Sequence, residues 1–151
     1  MSHFDTVIVV DWASGKASGP TPKKDAIWIG VAQADVVEQP VYMRSRIDAE
    51  AWLLERLKAE RARGHRVLAS FDFPFAYPSG FAKRLIGTED PFALWAWFAD
   101  RIEDNQKGEN NRFDVAGEVN RSFGGNGPFW GNPLKRDIDG LPRRKTVDIA
   151  L

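Results

Sequence analysis

The sequence contains no cysteine and only two histidines, His3 and His65. Without cysteine there is no disulfide, no thiolate zinc site and no cysteine nucleophile, and two histidines are too few for a histidine-rich metal site. A metal ion bound by this chain therefore needs oxygen ligands, which favours magnesium or manganese.

Charge of one sign and long hydrophobic runs are also lacking. Twenty-one basic side chains balance twenty-one acidic ones, so no net charge draws the chain to a polyanion and strong non-specific nucleic-acid binding is not expected. No apolar run approaches the roughly 20 residues that a bilayer crossing needs, and the first ten residues lack the features of a secretory signal. These absences predict a cytoplasmic protein that has no membrane partner.

The length and composition predict one α/β domain over residues 1–151, with 43% hydrophobic residues to build its core. The unbroken β-branched run from Thr6 to Val10 predicts a strand covered on both faces, and this strand ends at Asp11. Alternating patterns over 26–32 and 40–46 predict two more strands in meander order.

A helix and a fourth strand complete the predicted sheet-forming half, residues 1–78. Asp48 stands where the N-cap of a helix belongs, and leucines at helical spacing extend this helix to Gly64. Residues 66–71 return to strand character, and that strand ends at Asp72, just before two prolines. Two strands are thus expected to finish on an aspartate.

The predicted helical and loop half covers residues 79–151. Helices are expected over 79–87, from the cap Asp90-Pro91 onwards, and over 111–123, followed by a glycine-rich loop. Residues 146–151 have the pattern of the beginning of another apolar helix or strand, and the sequence ends there without a breaker or a polar tail. This pattern favours a chain truncated at its C-terminus.

The two strand-end segments, 9–16 (VVDWASGK) and 69–78 (ASFDFPFAYP), resemble the hallmark segments of an uncharacterised bacterial family of predicted ribonuclease H-like nucleases. The resemblance implies a ribonuclease H-like mixed β-sheet with flanking helices. It also implies a phosphodiester hydrolase that depends on Mg²⁺ or Mn²⁺ and acts on nucleic acid or a nucleotide-like phosphoester.

The same resemblance implies roles for particular carboxylates. Asp11 and Asp72 would hold the metal, Asp48 or Glu50 would supply a carboxylate from the first helix, and Asp148 would supply one from a late helix. Neighbouring strand ends bring side chains close together, and two close carboxylates repel each other until a cation neutralises them.

The turn that follows Asp11 adds candidate substrate contacts and supports a second hypothesis. Ser14 and Lys16 are the candidate phosphate contacts. The same turn resembles the phosphate-binding hairpin of actin-like ATPases and sugar kinases, which would make the chain a fragment of a phosphotransferase, although Ala13 stands where that hairpin has glycine.

Structural explanations compete with all of these roles. An aspartate at a strand end is most often a turn former that caps backbone amides, and the chain could be a non-catalytic interaction domain. Trp12, Phe73, Phe75 and Tyr77 could stack on a base, but aromatic residues beside a core strand usually fill the core.

Overall fold

A computed structural model of the chain describes residues 3–34, 36–124 and 127–145. In these residues four strands, one helix and a fifth strand are followed by three further helices, so the chain is a mixed α/β protein. The elements are β1 (Thr6–Asp11), β2 (Ile27–Gln33), β3 (Val36–Val37), β4 (Val41–Met43), α1 (Arg46–Ala62), β5 (Val67–Phe71), α2 (Phe81–Ile86), α3 (Pro91–Ala99) and α4 (Arg112–Ser122).

The five strands form one mixed sheet in the order β3-β2-β1-β5, and β4 also pairs with β2. The central strand β1 is antiparallel to β2 and parallel to β5. The predicted third strand, over 40–46, corresponds to the shorter β4, whereas β3 was not predicted; both β3 and β4 pair antiparallel with β2. Pro40 stands between them, and because proline has no N–H to donate to a ladder it ends the pairing there.

One face of the sheet packs on α1. Ile8 and Val10 of β1 are buried together with residues of β2, and Ala49 and Leu53 of α1 belong to the same apolar cluster. The opposite face is more open, since Val9 is 55% exposed and Leu68 is 42% exposed, so the prediction that the first strand is covered on both faces is wrong. The core of this part of the chain therefore lies between the sheet and α1.

The start of α1 corrects the sequence analysis, because its N-cap is Ser45 and not Asp48. The Ser45 hydroxyl accepts a hydrogen bond from the Asp48 N–H at 3.1 Å and donates one to Asp48 Oδ2 at 2.8 Å. Both residues are good capping types, but it is the Ser45 hydroxyl that accepts from a backbone N–H of the first turn, which is the bond that defines an N-cap. The predicted end is confirmed, since Gly64 follows the helix with φ +74°.

The chain divides into two compact units. The sheet unit contains residues 1–75 and 105–109, and the helical unit contains residues 76–104 and 110–151. The predicted division at residue 78 lies close to the first boundary, but nothing in the sequence predicted that residues 105–109 rejoin the sheet unit. They do so partly through the backbone, where the Ala17 N–H donates to the Lys107 carbonyl at 2.9 Å.

The helical unit has an apolar core of its own, built on Phe81, Leu94 and Val119. Helix α3 begins as predicted, since Asp90 caps it by accepting a hydrogen bond from the Phe92 N–H at 2.9 Å. Within the described ranges, no helix has the length and apolar character that crossing a membrane requires.

Candidate functional site

The two predicted aspartates lie at the same edge of the sheet. Strands β1 and β5 are parallel neighbours, and Val10 pairs with Phe71, so Asp11 and Asp72 come next in adjacent positions. Val10 and Phe71 belong to the face that packs on the core. Because side chains alternate along a strand, Asp11 and Asp72 fall on the opposite face, and both are exposed.

A hydrogen bond joins these two strand ends. The Trp12 N–H, one residue after Asp11, donates to Asp72 Oδ1 at 2.9 Å. This contact fixes the Asp72 side chain beside the end of β1, and it is the turn-capping role that competes with a functional role. An ionised carboxylate has about four lone-pair sites, so one hydrogen bond leaves most of its acceptor capacity available.

The donor chemistry of this pair fits magnesium or manganese. Mg²⁺ is commonly held by one or two carboxylates, with water and substrate phosphates completing its coordination. In the part of the chain that the structure describes, no group of three or more Asp, Glu or His residues could hold a metal ion. Asp148, the predicted third ligand, lies outside the described residues and stays a prediction.

The two carboxylates predicted from the first helix, Asp48 and Glu50, do not join Asp11 and Asp72 in a larger ligand group among the described residues. Asp48 is engaged by Ser45 at the start of α1, while Glu50 is exposed two residues further along the same helix. Neither forms a group of three with Asp11 and Asp72 among the residues described here. The described site is therefore a pair of carboxylates.

Lys16, a predicted phosphate contact, is paired with an acidic residue far along the chain. Its ammonium group lies 2.7 Å from Glu109 Oε1, and both side chains are largely exposed. The hydrogen bond from Lys16, followed by one from Asn105, lowers the pKa of the Glu109 carboxyl below its usual value. Ser14 is exposed in the same turn. The sequence carried no signal for Glu109, because a contact across 93 positions leaves no local pattern.

The backbone of this turn is held from α1 and from the returning segment 105–109. The Arg46 guanidinium donates to the Gly15 carbonyl at 2.8 Å and to the Gly108 carbonyl at 2.6 Å. Gly108 has φ +72°, and a Cβ built on it would lie 2.5 Å from the Ala17 nitrogen. The turn after β1 is therefore an ordered, tightly packed structure.

Aromatic rings cluster at the same strand ends as the two aspartates, with Trp12 and Phe71 packed on the core side of the sheet. Trp12 contacts Phe71 and Phe73 with centroids 6.4 and 5.9 Å apart, and Phe75 lies 5.6 Å from Phe71 and 5.4 Å from Phe73. Tyr77 belongs instead to the helical unit, where burial raises the pKa of its hydroxyl. Three of the four predicted stacking residues are thus in one cluster.

A buried carboxylate that the sequence analysis missed lies near the start of β1. Glu60 of α1 is fully buried and accepts hydrogen bonds from Thr6 at 2.8 Å and from Arg56 at 2.8 Å. Its burial raises the pKa, but hydrogen bonds from Thr6, His65 and Arg56 outweigh that effect and lower the pKa to about 2. This network is a structural one, because its acceptor is enclosed.

At the ends of β1 and β5 the chain therefore offers two exposed carboxylates on one face, beside a cluster of aromatic rings. Such a pair can hold a hard cation next to a phosphate ester. No protein-family model, curated protein or solved structure matches this chain, so these residues are the basis on which a function is inferred.

Proposed function

We propose that the protein is a divalent-metal-dependent phosphodiester hydrolase with a ribonuclease H-like fold, and that Asp11 and Asp72 hold the metal. Its substrate is a nucleic acid or a nucleotide-like phosphoester. The observation that supports this proposal is the parallel pairing of β1 with β5, which brings the two carboxylates to one edge and one face of the sheet.

The chemistry follows from charge. Two neighbouring carboxylates repel each other, and binding a divalent cation relieves that repulsion. Bound Mg²⁺ or Mn²⁺ supplies an activated water and stabilises the negative charge that develops on the phosphate. Hydrolysis forms a bond from the water oxygen to phosphorus, breaks the bond to the leaving oxygen, and transfers the proton of the water to that oxygen. Asp72 is oriented for its role by the Trp12 N–H.

Metal binding is tested by thermal unfolding with and without millimolar manganese. A ligand present at ten times its Kd stabilises the folded state by about 1.4 kcal/mol, which is a shift of roughly 3–5 °C for a chain of this size. We expect this shift in the wild type and in Asp100→Asn, a control that makes the same change at an exposed carboxylate of the helical unit. Asp11→Asn should abolish it.

Asp72 allows the structural and the metal-binding roles to be separated. Asparagine keeps an oxygen that can accept from the Trp12 N–H but loses the charge, whereas alanine loses both. If Asp72 is a metal ligand, Asp72→Asn should abolish the manganese shift and the hydrolysis of a phosphodiester. The metal-free variant should stay as stable as the metal-free wild type. Asp72→Ala should also destabilise the apo protein, by about 1 kcal/mol.

The second candidate function is a non-catalytic interaction domain, and the same hydrogen bond favours it. If Asp72 serves only to hold the Trp12 backbone at 2.9 Å, Asp72→Asn should leave every property unchanged. A wild-type protein that shows neither a manganese shift nor hydrolysis would refute the hydrolase proposal and leave this candidate.

A further inference from the structure

The rings beside the aspartates form a small exposed cluster, which we call the aromatic platform: Trp12, Phe71, Phe73 and Phe75. Trp12 and Phe71 are partly buried and pack on the core of the sheet unit. Phe73 and Phe75 are 38% and 46% exposed. The platform is thus anchored on one side and exposes ring surface on the other.

The rings of the platform meet at an angle. The five ring pairs have interplanar angles between 43° and 82°. Both arrangements occur in the core of the helical unit, where Tyr77 stacks on Phe81 with an interplanar angle of 12° and Phe81 meets Phe129 at 73°. What distinguishes the platform is that Phe73 and Phe75 remain partly exposed.

The backbone that carries the two exposed rings is stiff. Pro74 lies between Phe73 and Phe75 and has a fixed φ, and it also restricts the residue before it to extended conformations. Binding a ligand to these rings consequently costs less conformational entropy of the protein backbone than binding to a flexible loop would. Rigid aromatic surface is the usual means of binding planar ligands.

The platform is continuous in sequence with the proposed metal site. Trp12 follows Asp11 directly, and Phe73 follows Asp72 directly, so each carboxylate has a ring on the next residue. Because side chains alternate along a strand, Trp12 and Phe71 lie on the core side of the sheet, and Asp11 and Asp72 lie on the other side of the same strand ends. A nucleic-acid strand that crosses these strand ends can therefore reach the carboxylates with a phosphate and the rings with a neighbouring base.

We propose that the aromatic platform binds an unpaired base, which makes single-stranded nucleic acid the substrate class. This inference rests on the proposed function for the role of the phosphate, but the stacking itself needs no metal. Bases in a duplex are already stacked on their neighbours, so their faces are not free for Phe73 and Phe75. Stacking on aromatic side chains tolerates any base, so little sequence preference is expected.

The charge of the chain adds a second expectation. Proteins that bind nucleic acids through many phosphate contacts lose affinity steeply as salt rises, because binding releases counterions. This chain has a formal net charge of zero, and its turn lysine, Lys16, is paired with Glu109. Affinity carried by stacking should therefore fall less than about tenfold between roughly 50 and 200 mM salt, against about 10³-fold or more for a protein with many phosphate contacts.

The test is fluorescence anisotropy with a short labelled oligothymidylate, in EDTA so that no metal contributes. Loss of one stacked base corresponds to a decrease in affinity of about 5- to 150-fold. We expect Phe73→Leu to show this decrease and Phe73→Trp to restore binding. Phe92→Leu is the matched control, because Phe92 lies on α3 in the helical unit and is 72% exposed.

The outcomes separate this inference from the proposed function. The proposal that the platform binds an unpaired base would be overturned if Phe73→Leu bound the oligonucleotide as tightly as the wild type does. It would also be overturned if the wild type bound a duplex of the same sequence equally tightly, even if manganese stabilises the protein. Binding that depends on Phe73 in a protein with no manganese shift would support the platform and overturn the hydrolase proposal. Thermal unfolding of Phe73→Leu without metal shows that the variant remains folded, whether or not manganese binds.

Discussion

Replacing Glu60 by glutamine should strongly destabilise the protein, because this carboxylate is the acceptor of a buried network. Its Oε2 accepts from the Thr6 hydroxyl at 2.8 Å and lies 2.6 Å from His65 Nδ1. Its Oε1 accepts from Gln33 and from Arg56, each at 2.8 Å. An amide has only one acceptor oxygen and no charge, so glutamine cannot accept all the hydrogen bonds that the two carboxylate oxygens accept.

Two estimates give the same size of effect. Breaking a buried ionic network by removing one partner costs about 3–5 kcal/mol. The pKa of Glu60 is lowered from 4.5 to about 2, and a difference of 2.5 units at 1.36 kcal/mol per unit is about 3 kcal/mol. Burial alone would raise the pKa, so the hydrogen bonds from Thr6, His65 and Arg56 more than offset desolvation. We expect Glu60→Gln to lower the free energy of unfolding by about 3 kcal/mol.

The pH dependence has a defined sign. The folded pKa is lower than the ordinary value of 4.5, so this contribution is fully present above about pH 4.5 and is lost as the pH falls toward 2. Urea unfolding of the wild type and Glu60→Gln at neutral pH and at about pH 3 measures it, and the difference between the two proteins should narrow at the lower pH.

The control for this prediction lies on the same helix. Glu55 forms an exposed ion pair with Lys58, so Glu55→Gln should change the free energy of unfolding by less than about 0.5 kcal/mol. The role given to the Glu60 network would be contradicted if Glu60→Gln lowered the free energy of unfolding by less than about 1 kcal/mol, or by the same amount at both pH values.

Three further substitutions have effects that urea unfolding can measure. Ser45→Ala removes the N-cap of α1 and its bond to Asp48, and should cost about 1 kcal/mol; an unchanged midpoint would contradict this. Gly108→Ala places a methyl group 2.5 Å from the Ala17 nitrogen at φ +72°, and should cost more than about 1 kcal/mol, because both strain and a clash act there; a stabilised protein would show that the segment adjusts freely. Asn120→Ala leaves buried backbone groups of the loop after α4 without their partner, and should cost about 1–3 kcal/mol per unsatisfied group; a loss below about 0.5 kcal/mol would mean that water replaces the amide.

The sequence predicted those parts of the fold that have a local pattern. The β-branched run of β1 and its end at Asp11 were predicted correctly, as was the adjacency of β1 to the strand that ends before Asp72. An unbroken run of β-branched residues favours a strand through local propensity, whatever lies elsewhere in the chain. The start of α1 was wrong because Ser45 and Asp48 are both good capping residues, and local sequence does not decide between them.

Contacts between distant residues had no such pattern. The return of residues 105–109 to the sheet unit, and with it the pairing of Lys16 with Glu109, depends on packing across more than 90 positions. At the candidate site, the sequence predicted which aspartates end the strands. It did not predict the Trp12–Asp72 bond, because that contact depends on how two strand ends meet in space.

The sheet unit is discontinuous in sequence, and this limits how the protein can be divided. A fragment that stops at residue 75 would lack Gly108, whose carbonyl accepts from Arg46, and Lys107, whose carbonyl accepts from Ala17. Both contacts hold the turn directly after Asp11. Expressing residues 1–75 alone would therefore yield a sheet unit whose turn after Asp11 is less firmly held. A minimal version of the sheet unit needs a short segment equivalent to 105–109 joined to it.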